Sequence, residues 1–254
     1  MSTLACPARV TPDHARQYRE QGWFLLERAV PEEHVAMLRE ECALSIEHMN
    51  RRIDGKDPTV CELNHRDRRY FIPYRSRERA AMRDYIFSPL LADVCRATVG
   101  GEACLSLEQF VVKGGGGGMK FGWHQDAGYI KHDNPDFVTV LCALDDLTET
   151  NGTLFVLPYD RAGTRTKTDH KVEAGSNDWI GYFGDDPGIP MIAPAGSLIV
   201  FSCYTFHRSG PNFSPDLRRL YLTQYATEPI RRPNGEIKSM GDVFLKGGEV
   251  VTRA

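Results

Sequence analysis

The residues of this 254-residue chain best suited to chemistry are His124, Asp126 and His207, with Arg218 eleven positions after the last of them. Two imidazoles and one carboxylate can occupy one face of a metal ion and leave the other face open, the ligand set of non-haem Fe(II) oxygenases. A guanidinium near such a centre can hold a carboxylate through two parallel hydrogen bonds, which suits 2-oxoglutarate as cosubstrate. Of itself a His-x-Asp tripeptide is weak, since most are ordinary hydrogen-bonded pairs. The other histidines, His14, His34, His48, His65, His132 and His170, read as surface or structural.

The elements that must position these groups follow from the patterning. Thr11-Pro12-Asp13 opens a helix that Gly22 stops, and Trp23–Leu26 reads as a short buried strand. Pro31-Glu32-Glu33 opens a second helix with Val35, Leu38, Cys42 and Ile46 on one face. Further helices are expected over Ser76–Tyr85 and Pro89–Thr98. From Cys104 the texture changes to short strands: 105–112, 137–144, 153–157, 196–201 and 220–226. Helices first and strands after predict an α+β chain with a double-stranded β-helix (jelly-roll, cupin-like) core and flanking helices. One domain is expected over 1–254, helical over about 10–100, with the jelly-roll over about 104–228. Alternation along an extended 123–128 would put His124 and Asp126 on one face and turn Gln125 away, while His207 follows the apolar strand Leu198–Ser202.

The order and content of several segments resemble the phytanoyl-CoA dioxygenase family. They are Trp123-His124-Gln125-Asp126, Asp145-Asp146 with Asn151–Pro158, Pro194–Leu198, and His207–Asn212 with Arg218. Gly22–Leu26 resembles that family's entry segment. The resemblance implies that His124, Asp126 and His207 hold Fe(II) and that Arg218, assisted by Ser209, binds the far carboxylate of 2-oxoglutarate. Arg219 competes for that role, but the family spacing selects Arg218, and only one of two adjacent strand residues faces the site. Gln109 and Lys113 stand where the family often contacts the cosubstrate, although Lys113 also reads as a strand-end lysine. The implied activity is hydroxylation of an unactivated C–H bond of a small metabolite, consuming O2 and releasing succinate and CO2. Desaturation, cyclisation, epimerisation or endoperoxide formation use the same cofactors, and a catalytically silent metal-binding jelly-roll is the binding-class alternative. Halogenation requires the carboxylate ligand to be missing, and Asp126 is present.

The rest of the chain sets limits. Formal net charge is -3, from 31 basic and 34 acidic residues, which gives no electrostatic reason to expect nucleic acid or an anionic membrane as partner. No apolar run of membrane-spanning length and no signal peptide is evident, so a cytoplasmic enzyme is expected. Seven cysteines without a C-x-x-C pair read as free thiols. For the substrate pocket the candidates are Arg69, Tyr74 and Trp179. The first two lie in a basic, aromatic tract from Arg66 to Arg79, which reads equally as a charged helix with its approach loop. Trp179 lies in the long segment 167–190, a candidate cover for the site. Gly114–Gly118 reads either as a mobile hairpin or as a tolerated loop expansion. Arg231–Asn234 reads as a turn and 246–254 as a fraying tail. Composition and motifs leave the oligomeric state open.

Overall fold

A computed structural model describes residues 8–57, 59, 64–130, 135–174 and 178–251. The chain opens with α1 (Pro12–Gln21), β1 (Trp23–Leu26), α2 (Glu32–Asp54) and β2 (Arg69–Pro73). Then come α3 (Ala80–Ile86), α4 (Pro89–Thr98), β3 (Ala103–Lys113), β4 (Phe121–His124), β5 (Phe137–Ala143) and β6 (Leu154–Leu157). A short α5 (Tyr159–Ala162) precedes β7 (Lys171–Val172), β8 (Trp179–Ile180), β9 (Ile189–Pro190), β10 (Leu198–Ser202) and β11 (Phe206–Ser209). The long β12 (Arg218–Ala226) and the hairpin of β13 (Asp242–Lys246) and β14 (Glu249–Val250) complete it.

Two antiparallel sheets face one another in a jelly-roll. The larger runs β1-β10-β5-β12-β3-β13-β14, with β2 also on β3; the smaller runs β4-β11-β6-β9. Alternation explains what each face of the larger sheet carries. Leu141, Ala143, Ile199, Phe201, Leu220 and Leu222 point inward and pack with Leu154, Val156 and Met191. Val138, Val140, Cys142, Phe110, Val112, Tyr221 and Tyr225 point outward, beneath Val35, Leu38 and Cys42 of α2 and Leu91, Val94 and Cys95 of α4. Every residue of β5 is buried, because that strand is covered on both sides.

The helix ends follow their local chemistry. The Thr11 hydroxyl accepts from the His14 N–H and the His14 ring accepts from the Thr11 N–H, a reciprocal cap. Gly22 ends α1 at φ +87, and a Cβ there would lie 2.5 Å from the Thr205 hydroxyl. That hydroxyl donates to Gly22 O at 2.7 Å, so the α1 to β1 turn braces the strand carrying His207.

Several local expectations are corrected. The helix expected over Ser76–Tyr85 is split: Arg75–Arg77 is a 3-10 turn, Arg79 is extended, and α3 starts only at Ala80. The Ser76 N–H is drawn off to the buried Glu108 carboxylate, and Tyr74 is left-handed at φ +64. The basic tract contains a strand, β2, and its charges disperse: Arg66 pairs with Asp54, Arg75 with Glu78 and Arg79 with Glu41. Residues 246–250 form a hairpin rather than a frayed tail, turning at Gly247 and Gly248.

The glycine run is neither a free hairpin nor a slack expansion. A Cβ on Gly114 would lie 1.7 Å from Asp67 O, and one on Gly115 2.2 Å from Pro215 O. Gly116 and Gly117 have positive φ and donate to Ser214 O and Asn212 O at 2.8 and 2.6 Å. At Gly114, Gly115 and Gly118 the run is a close backbone crossing with no room for a Cβ, while Gly116 and Gly117 take the positive φ that glycine favours.

Candidate metal and cosubstrate site

His124 ends β4 and pairs in register with His207 on β11, so two imidazoles leave adjacent strands of the smaller sheet side by side. Asp126 does not continue the strand, as alternation had suggested. It opens a 3-10 turn over Asp126–Tyr129, which swings its carboxylate back beneath both rings. Asp126 Oδ1 lies 3.8 Å from His124 Nε2 and 3.6 Å from His207 Nε2, and the three donor atoms lie within 4.8 Å of one another.

The donors fit a metal ion. With bonds of about 2.1 Å, donors on one ion stand about 3 to 4.2 Å apart, which brackets both measured separations. Each histidine uses its other nitrogen on a backbone carbonyl, His124 Nδ1 on Gly122 O at 2.8 Å and His207 Nδ1 on Thr205 O at 3.0 Å. That fixes the tautomer with Nε2 as lone-pair donor. Burial and the neighbouring His207 hold the His124 ring well below the usual imidazole range, hence neutral and ready to ligate. Phe121 stands edge-on to His124 at 4.5 Å and Phe201 is tilted against His207 at 4.4 Å, which immobilises both rings.

The far oxygen of Asp126 is already engaged. Thr139 Oγ1 and Gln224 Nε2, the latter at 3.0 Å, both donate to Oδ2, and Gln224 Nε2 also reaches Thr139 Oγ1 at 3.1 Å. Only Oδ1 is left toward the imidazoles. Neither residue was singled out from the sequence. The signal was there, since Thr139 is a polar side chain facing inward from an otherwise apolar strand and Gln224 faces inward beside Leu220 and Leu222.

Gln125 is buried as well, turned away from the metal donors. Its side-chain nitrogen donates to Thr166 O and Tyr204 O at 2.9 and 2.7 Å, its oxygen accepts from Thr168 N at 2.9 Å, and its backbone N–H donates to His170 Nε2 at 3.0 Å. His170 is thus structural, wedged against Gly128 and Gly181. His132 lies outside the described residues.

A cavity of about 310 Å³ opens beside the three donors. It is lined by Arg218, Ser209, Gln109 and Lys113, and by Arg69 and Tyr74. Trp179 is not among the lining residues; its backbone N–H meets the Tyr129 hydroxyl, and Tyr129 faces the cavity.

Arg218 is 1% exposed, and its Nε and Nη1 have no hydrogen-bond partner among the described residues. Burial brings this guanidinium down to about 10, still charged at neutral pH. A buried cation with two unfilled N–H donors is costly unless an anion enters, so the cavity is built to receive one. Arg219 faces the other way and is held by Asp145 through Nη2 at 2.6 Å and Nε at 3.0 Å. Arg69, Lys113 and Arg218 stand in register across β2, β3 and β12, on the inner face. Arg69 pairs with the buried Asp178 at 3.1 Å, and Lys113 donates to Gly210 O.

Comparisons with known proteins place the chain in a family and a fold. The family model described as phytanoyl-CoA dioxygenase (PhyH) matches residues 18–220. The ectoine dioxygenase of Bordetella bronchiseptica is 28% identical over 233 residues, covering 81% of this chain and 72% of that protein. In fold, the chain is similar to the non-haem alpha-ketoglutarate-dependent carbocyclase SnoK, with TM-score 0.71 and 15% identity over 98% of both chains. It is also similar to EctD from S. alaskensis, solved with 2-oxoglutarate and 5-hydroxyectoine, with TM-score 0.64 and 18% identity over 94% of this chain and 84% of that one.

Proposed function

Because the chain belongs to the phytanoyl-CoA dioxygenase family, and is therefore a 2-oxoglutarate-dependent non-haem iron dioxygenase, we propose that it hydroxylates a C–H bond of a small metabolite held in the 310 Å³ cavity. We assign His124, Asp126 and His207 as the iron ligands and Arg218 as the anchor for the distal carboxylate of 2-oxoglutarate, with Ser209 beside it. Fe(II) with 2-oxoglutarate supplies the oxidation, in which O2 and the cosubstrate yield succinate, CO2 and one oxygen atom for the substrate.

The protein's part is to bind, orient and exclude water. Arg218 fixes one end of the cosubstrate, and its buried setting strengthens that pairing. Thr139 and Gln224 restrict Asp126 to a single-oxygen ligand, keeping coordination positions open. Leu141, Leu154, Phe201, Leu220 and Leu222 give the cavity dry walls. The residues need not move a substrate proton, which is consistent with a cavity in which, among the described residues, Asp126 is the only lining carboxylate. The helical part and the jelly-roll act together in this reading as one catalytic unit.

The observation that carries the assignment is the orphaned Arg218 guanidinium opening into the same cavity as the His-Asp-His cluster. The test is succinate release from purified protein given Fe(II), 2-oxoglutarate and O2, with and without a panel of small metabolites. Succinate should form slowly alone and faster with a substrate, in step with a product heavier by one oxygen atom. No succinate under any condition would overturn the assignment. Among the described residues no helix is long and apolar enough to cross a membrane.

A further inference from the structure

The cavity has more cationic lining than its assigned ligands require. Arg69, Lys113, Arg208, Arg218 and Lys238 line it, and among the described residues Asp126 is the one lining carboxylate. Arg69 has Asp178 behind it, and the guanidinium of Arg208 lies over the rings of Trp123 and Phe155 at 5.2 and 4.0 Å. Arg218, with Lys113 beside it, is answered by the cosubstrate. Lys238 has no carboxylate within ion-pair distance among the described residues.

Lys238 lies at the other end of the cavity. Its segment is tied to the start of β3, Met240 N–H donating to Ser106 O at 3.0 Å and Gly241 N–H to Leu105 O at 2.9 Å, while Lys238 N–H donates to Ile230 O at 2.8 Å. Arg218 pairs with Lys113 at the far end of the same strand. From Ser106 to Lys113 is seven residues, or roughly 23 Å of extended chain. The metal donors sit toward the Lys238 end, because Gln224, which holds Asp126, pairs with Leu107. A cosubstrate reaching from the metal to Arg218 therefore leaves open the space between the metal and Lys238. Next to Lys238, the Ser239 hydroxyl is buried, has no hydrogen-bond partner among the described residues and lines the cavity, as do Ser106 and Gln109. Phe121 and Tyr129 stand against the His124 ring, and Phe137 and Ile230 pack together in the lining.

Resting on the oxygenase reading above, we propose that the substrate is a small oxyanion, a carboxylate or a phospho acid. Lys238 and Ser239 bind its charged head, and its carbon body lies on the aromatic walls beside the metal. Charge and donor count select the class: the exposed Lys238 ammonium and the buried Ser239 hydroxyl, neither with a side-chain partner among the described residues, favour an acceptor-only anionic head over an amide or an amine. An amine head would meet Lys238 with like charge.

The test is calorimetric titration of the metal-free protein with short-chain carboxylates, phosphonates of the same skeleton, their amides and methyl esters, and the matching amines. The acids should bind at least about ten-fold more tightly than their amides, esters or amines, and comparing carboxylate with phosphonate names the head. Lys238→Met should weaken the acids about ten-fold, and Lys238→Glu should turn the preference toward amines. Arg218→Met should weaken 2-oxoglutarate binding at least about thirty-fold and leave the acids bound. The proposal is overturned if no acid binds, if amides or amines bind as well, if Lys238→Met has no effect, or if the acids are lost with Arg218. Failure of the oxygenase reading looks different: the acids bind as described and no succinate forms with iron and 2-oxoglutarate.

Discussion

Gln224 Nε2 donates to Asp126 Oδ2 at 3.0 Å, and this leaves Asp126 Oδ1 alone to face the imidazoles at 3.6 and 3.8 Å. With Thr139 on the same oxygen, β12 and β5 of the larger sheet orient a ligand that belongs to the smaller one. Partners of this kind set ligand geometry, and losing them typically costs ten- to hundred-fold in metal affinity or activity.

Gln224→Leu should therefore weaken Fe(II) binding by about ten- to hundred-fold and lower the product formed per succinate, and Thr139→Val should act in the same direction. Anaerobic metal titration and paired product and succinate assays would show it. Unchanged affinity and coupling in both variants would remove the clamp from the mechanism.

Arg218 and Arg219 should separate cleanly. Arg218→Ala should raise the 2-oxoglutarate requirement at least about thirty-fold, the loss expected when one partner of a buried charge pair of 2 to 5 kcal/mol is removed. Arg219→Ala gives up its partly exposed pair with Asp145, and should lower thermal stability modestly while KM for the cosubstrate stays nearly constant. Steady-state kinetics in 2-oxoglutarate with thermal melts would decide, and a larger KM effect at Arg219 would reverse the assignment.

Much of this was legible because apolar periodicity survives in the sequence. The strands 105–112, 137–144, 198–201 and 220–226 are runs whose two faces both meet something apolar, and α1 carries its cap and stop in Thr11, Pro12 and Gly22. β2 was hidden because Arg69, on its inner face, is paired with Asp178, more than a hundred residues away. The turn at Asp126 was hidden as well, since what ends β4 is the pull of Gln125 toward the 164–170 segment, a tertiary effect without a local signature. Gln224 and Thr139 needed only one further step, which is to ask why a polar side chain faces inward among apolar ones.

Gln125→Ala removes four side-chain hydrogen bonds that hold Thr166, Thr168 and Tyr204. Backbone amides over 164–170 should exchange faster with solvent, with little change at α2 or α4, and hydrogen exchange by peptide would show it. Equal exchange in both proteins would mean that Gln125 is not the tether.

Two glycine substitutions should differ in size. Gly114→Ala meets Asp67 O at 1.7 Å and must move backbone, a cost well above that of Gly116→Ala, where the space is open and only φ +66 is unfavourable, about 1 kcal/mol. Denaturant unfolding would rank them, and equal losses would show that the crossing is slack.

Cysteine reactivity has a definite sign. Burial pushes the Cys42, Cys142 and Cys203 thiols up to about 12, so at pH 8 only about one in ten thousand is thiolate while the protein is folded. Labelling at these positions, followed by peptide mapping between pH 7 and 9, should wait for unfolding. Fast modification of the folded protein would contradict the burial.

The central claim is that one metal ion is held by His124, Asp126 and His207 beside an Arg218 that receives 2-oxoglutarate. Its most direct test is an anaerobic titration of Fe(II) followed by visible absorption, with and without the cosubstrate. The account predicts one ion per chain and a charge-transfer band only when both are present, lost in Asp126→Ala and restored in Arg218→Ala only at much higher 2-oxoglutarate. A band of full strength in Asp126→Ala, or no band in the wild-type protein, would contradict it.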